Sequence, residues 1–154
     1  LVLTHQQDGI SRGTGALVST AIVRDNKAVV KDSAAAFLSY DKGSSTQEYP
    51  GSLMGAHALL RQTYLDAQWY AAGGKEKEFN LSLDAWNRIS KLPVVFDARD
   101  KYEALMAARL ANEYNQRYIL KTGGDEYQRL DEIVKTKMPF VFNGQFLFGI
   151  RLNF

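Results

Sequence analysis

Leu92-Pro-Val-Val-Phe96, Tyr118-Ile-Leu120 and Met138-Pro-Phe-Val-Phe142 are three apolar runs, and what separates them decides the fold. Between the first two, Tyr102, Leu105, Met106 and Leu110 recur at helical spacing, and Asp100 with Glu103 three positions on has the spacing of a capping box. Between the second and third, Thr122-Gly-Gly-Asp125 turns the chain into a run that places Tyr127, Leu130 and Val134 on one helix face. Strand, helix, strand, helix, strand at this repeat predicts two consecutive βαβ units, and so a parallel sheet with right-handed crossovers. Parallel strands are covered on both faces, which suits apolar runs that are continuous rather than alternating.

Upstream the period is also helical. Leu53, Ala56, Leu60, Tyr64, Ala67 and Ala71 form one face of a long helix, with Trp69, Tyr64 and Tyr70 expected to pack it and Gly73-Gly74 to end it. A second helix is expected over Leu81 to Ser90, carrying Leu83, Trp86 and Ile89. The first forty residues read as extended: Leu1 to His5 and Ala16 to Arg24 are β-favouring, separated by the glycine-rich loop Asp8-Gly-Ile-Ser-Arg-Gly-Thr-Gly15. Asp25-Asn26 reads as a hairpin turn before Lys27 to Lys31, a third run covers Ser33 to Tyr40, and a polar loop spans Asp41 to Ser52. The expected fold is α/β, with parallel βαβ units after a β-rich N-terminal third, in a single domain over residues 1–154.

Composition narrows the function. The chain has 154 residues, of which 45% are hydrophobic and 23% charged, an ordinary globular balance that excludes disorder and coiled coil as the main architecture. The net charge is only +2 and the signs alternate along the chain, so there is no basic stripe to track a nucleic acid. No apolar run approaches the roughly 20 residues of a membrane span. With no cysteine there is no thiol nucleophile, disulfide or zinc ribbon, and the two histidines, His5 and His57, form no local ligand pair. Both ends are apolar, Leu1-Val-Leu3 and Gln145 to Phe154, which predicts either a piece of a longer chain or ends covered by homo-oligomerisation.

In parallel α/β sheets, ligands sit at the carboxyl ends of the strands. Three places qualify here: Asp97 to Asp100, Lys121 to Asp125, and Asn143-Gly144. Asp97 could ligate a hard cation or act as a general base, or it could help cap the following helix. Gly123-Gly124 could cradle a phosphate, although Asp125 and Glu126 would repel one while suiting the helix dipole. Arg12 could contact an anion or merely join two strands. His5 lies where a strand gives way to a polar loop, and His57 lies beside the apolar stripe of the long helix, where a packed, hydrogen-bonded histidine is expected rather than a ligand.

Several blocks are familiar as a series. Tyr49-Pro-Gly-Ser-Leu-Met-Gly55, then Ala58 to Ala67 with Trp69-Tyr70, resembles a helix segment of imidazolonepropionase-like members of the amidohydrolase superfamily. Leu92-Pro-Val-Val-Phe-Asp-Ala98 resembles the strand these enzymes end in histidine and alanine, and Asp100 to Tyr114 the helix after it. Tyr118 to Ile133 resembles the next strand, glycine turn and helix, and Asp8 to Gly15 a block of secreted bacterial members. The resemblance implies part of a (β/α)8 TIM barrel, a hydrolase of non-peptide C–N bonds, and in the whole family a divalent metal cofactor such as zinc.

The same resemblance implies that this chain lacks the ligands. The family's His-x-His motif is absent, Asp97 stands where one histidine is expected and Thr122 where another is, and no late aspartate follows. One carboxylate cannot hold a catalytic zinc. The chain is therefore expected to carry no metal of its own and to be a fragment or a degenerate, non-catalytic member. The alternatives are a structural or interaction module derived from the barrel, or a small anion-binding domain using Arg12 or Gly123-Gly124. The candidate residues, in order, are Asp97 and Thr122, then His5, Arg12, Lys121 and Asp125. A periplasmic or secreted location is implied by the resemblance alone.

Overall fold

The computed structural model describes residues 2–73 and 78–142. The apolar C-terminal stretch and Asn143-Gly144 lie outside the described residues. The chain divides into two compact units, Leu1–Val94 and Val95–Phe154.

In the first unit, β1 (Val2–Thr4), β2 (Ser11–Val18) and β3 (Val29–Ser39) form an antiparallel set. Val2 pairs with Val18 and Thr4 with Ala16, while Ser11 pairs with Leu38 and Val18 with Val29. The first half of β3 is exposed and its second half, Ala35 to Ser39, is buried. Two expectations are corrected. β2 begins at Ser11, inside the glycine-rich block, because that block's backbone pairs with β3. The residues around Asp25 form a short helix, α1 (Asp25–Ala28), rather than a two-residue turn.

Ser52 caps α2 (Leu53–Ala72) by accepting a hydrogen bond from the Gly55 N–H, and Gly73 closes it. The buried face is Ala56, Leu60, Tyr64, Ala67 and Tyr70; Trp69 instead stands 74% exposed. At 100° per residue, Ala56, Leu60, Tyr64, Ala67 and Tyr70 share one side of the helix and Trp69 falls nearly opposite it. α3 (Leu81–Ile89) begins on the Asn80 cap and buries Trp86, which meets Tyr64 edge-on at 5.2 Å. The Ala36 N–H donates to the Pro93 carbonyl at 2.9 Å, at the approach to the next strand.

In the second unit the expected alternation is observed: β4 (Val94–Asp97, whose first residue is the boundary), α4 (Lys101–Glu113), β5 (Tyr118–Thr122), a 3-10 turn (Glu126–Arg129), α5 (Leu130–Lys135) and β6 (Phe140–Phe142). β5 and β6 are parallel, with Leu120 opposite Phe140 and Thr122 opposite Phe142. The Ala98 N–H donates to the Lys121 carbonyl at 2.8 Å, so β4 and β5 also end side by side, as parallel strands do.

The buried face of α4 is an alanine stripe, Ala104, Ala107, Ala108 and Ala111, with Glu103 and Leu110. Tyr102, expected inside, is exposed. The bulk is supplied by the sheet: Phe96 and Tyr118, both fully buried, stack at 5.5 Å, and small helix residues let α4 approach them. The helix face read as Tyr127, Leu130 and Val134 is likewise exposed; Ile133 is the residue of α5 that is buried.

Candidate functional site

The carboxyl ends of β4 and β5 bring Asp97 and Lys121 together. Asp97 Oδ1 lies 3.2 Å from Lys121 Nζ, and both side chains are partly exposed. Side chains alternate along a strand. Tyr118, Leu120 and Thr122 are buried on one face of β5, and Ile119 and Lys121 take the other. Thr122 is thus turned to the opposite face from the one that meets Asp97. It is 2% exposed, and its hydroxyl finds no hydrogen-bond partner among the described residues.

The loops after these strands are tied to each other. Asp100 Oδ1 accepts from the Tyr102 and Glu103 N–H groups, the predicted cap. Glu103 does not reach back to the capping residue; its buried carboxylate accepts from the Arg99 N–H at 2.9 Å and from the Arg99 guanidinium at 2.9 and 2.7 Å. Asp125 accepts from the Lys101 N–H at 2.9 Å and from its ammonium at 2.8 Å. That hydrogen bond, reinforced by the charge of Asp125, raises the Lys101 pKa above the ordinary lysine value. A Cβ on Gly123 would overlap the Arg99 carbonyl oxygen, so glycine is what lets the second loop lie against the first.

The Gly124 N–H donates to Glu126 Oε1 at 3.2 Å, and Glu126 is 3% exposed. A buried carboxylate at that amide takes the place an incoming phosphate would need. A metal fits no better. Asp97 faces an ammonium, Thr122 is buried away from it, and among the described residues no three His, Cys, Asp or Glu side chains converge. Among the described residues, the strand ends offer the Asp97–Lys121 carboxylate–ammonium pair, beside loops tied by the Lys101–Asp125 pair.

The other candidates lie in the first unit. His5 stacks flat on Phe37, centroids 4.0 Å apart and planes 3° apart. Arg12 is buried and reaches the Asp41 carbonyl at 3.4 Å. His57 Nδ1 lies 3.0 Å from the Tyr40 hydroxyl. Sequence reasoning missed the Tyr40–His57 pairing and the burial of Glu103 and Glu126. The capping-box spacing was a signal for Glu103; nothing in the local pattern marked the other two.

The second unit is of the parallel α/β class that carries sites at its strand ends. No family model and no curated protein matches the chain. Its fold is similar to that of an amidohydrolase from Thermotoga maritima, with a TM-score of 0.70 and 19% identity over 93% of this chain. The chain spans 41% of the length of that one. This is a likeness of fold, and it agrees with the expected barrel segment.

Proposed function

We propose that this chain is a segment of an amidohydrolase-type barrel of the imidazolonepropionase-like kind, non-catalytic by itself because its strand ends do not assemble a metal centre. The observation that carries the reading is the Asp97–Lys121 pair: the carboxylate at a family ligand position is neutralised by an ammonium of the same chain. The fold likeness supports the barrel, and the Leu92 to Ile133 blocks support the subgroup. Calorimetric titration with zinc tests it. The expected result is less than one equivalent bound per chain. One equivalent of tightly bound zinc, with histidine in its coordination sphere by X-ray absorption, overturns it.

A second element of the reading is that the chain packs against something further, either another copy or the rest of a longer protein. Tyr127, Leu130, Val134 and Phe142 are 59–65% exposed in the second unit, more large apolar surface than isolated exposed residues account for. Light scattering of the 154-residue chain is expected to show self-association that grows with concentration; a monomer throughout removes the homo-oligomer.

A further inference from the structure

We propose that a pocket of about 340 Å3 in the first unit, between the chain around Asp8 and the loop leading to Pro50, binds a small neutral sugar or cyclitol. The inference is independent of the barrel reading. It draws on two sequence blocks that the strand ends do not use, the glycine-rich stretch from Asp8 and the stretch from Tyr49-Pro50, which meet at this pocket.

Its walls are set in advance. The Gly9 N–H donates to the Lys42 carbonyl at 2.8 Å, and the Ser44 N–H and hydroxyl both donate to the Gln7 carbonyl at 3.0 Å. Gly43 adopts φ 59°, and a Cβ there would overlap the Gln7 carbonyl oxygen, so the clip between the two segments requires glycine. A ligand entering such a site spends little on ordering loops. The volume is at the low end of the roughly 300–1,000 Å3 of small-molecule sites.

The lining selects the chemistry. Tyr49 stands 62% exposed on the rim, an aromatic face for the C–H side of a saturated ring, with Pro50 and Leu59 as further apolar wall. Asp8 accepts hydrogen bonds, while Ser11, Ser45 and Gln47 can both donate and accept. Lys42 brings the one positive charge, but its ammonium is already held by the Gln47 and Glu48 carbonyls at 2.6 and 3.3 Å. An anion would meet Asp8 with only this engaged lysine to attract it. An organic cation would be repelled by Lys42 and would leave the donors unused. A neutral ring of hydroxyls uses donors, acceptors and aromatic face together.

The test is saturation-transfer NMR and calorimetry on the 154-residue chain with glucose, galactose, mannose, N-acetylglucosamine and myo-inositol, and with inorganic phosphate and choline as the charged comparisons. Saturable binding of at least one neutral probe is expected, weakened by about tenfold or more in both Tyr49→Ala and Asp8→Asn. Both side chains are exposed, so both variants are expected to keep the wild-type melting temperature. Saturation by none of the neutral probes overturns the proposal. So does neutral-probe binding that survives both substitutions, or binding of phosphate or choline in their place.

Discussion

Gly123→Ala probes whether the two strand-end loops are as tightly locked as their contacts imply. Gly123 carries no positive φ, so the penalty is steric rather than conformational. The added methyl would overlap the Arg99 carbonyl oxygen and lie 3.2 Å from its carbon. Arg99 cannot retreat freely. Its N–H is bonded to Glu103, and the adjacent Ala98 N–H is bonded to Lys121 across the strands. Relief means either parting the loops, at about 1 kcal/mol for the Ala98–Lys121 hydrogen bond together with loosening of the Lys101–Asp125 contact, or accepting overpacking strain of about 1–3 kcal/mol. We expect a loss of about 2 kcal/mol. With a urea slope of about 2 kcal/mol/M, that moves the unfolding midpoint down by about 1 M. Both tryptophans, Trp69 and Trp86, lie in the first unit, so the transition is followed by far-UV circular dichroism rather than by tryptophan fluorescence. Two other glycines calibrate the result. Gly13→Ala has open space but φ 71°, and is expected to cost about 1–2 kcal/mol through its backbone alone. Gly51→Ala has neither obstacle and is expected to be neutral or to stabilise by up to about 1 kcal/mol. A Gly123→Ala midpoint indistinguishable from that of Gly51→Ala would refute the locked-loop reasoning.

Phe96→Ala removes a fully buried ring stacked on Tyr118 and is expected to cost about 3–5 kcal/mol, read from the same urea curves; a loss under about 1 kcal/mol contradicts the packing described. Glu103→Gln keeps the shape but loses the charge that gathers three Arg99 donors, so a loss of about 1.5–3 kcal/mol is expected, with faster hydrogen exchange at the Arg99 amide. For Lys101 the raised pKa fixes the sign. Its contribution is complete below the unfolded value of 10.5 and is lost as pH rises through the higher folded value. The midpoint difference between wild type and Lys101→Met should therefore hold steady from neutral pH to about 10 and narrow only above that. Narrowing that is complete by pH 9 would count against the assignment.

The parallel half of the fold was legible because its strands carry unbroken apolar runs and its first helix, α4, starts on the Asp100 cap; α5 has no capping side chain and was read from the spacing of its apolar residues alone. The inward faces of the later helices were less legible. Reading bulk as burial selected Tyr102, Tyr127, Leu130 and Val134, whereas the sheet supplies the bulk through Phe96 and Tyr118 and the helix answers with alanine. β2 was blurred because Gly9, Gly13 and Gly15 look like loop, although a glycine-containing backbone can still complete a ladder. At the site, Asp97, Lys121 and Asp125 were all named from their position after strands. That Asp97 meets Lys121 and not Thr122 follows from side-chain alternation, which becomes usable only once the strand's register and end are known.

The alternation along β5 also fixes where this scaffold could accept a new function. An engineer placing a histidine beside Asp97 would choose position 121, where the native lysine already delivers a nitrogen to the carboxylate. The same histidine at position 122 would be driven into the layer occupied by Tyr118 and Leu120, where an imidazole would disturb packing and bind nothing. A shift of a single residue separates a ligand from a core defect.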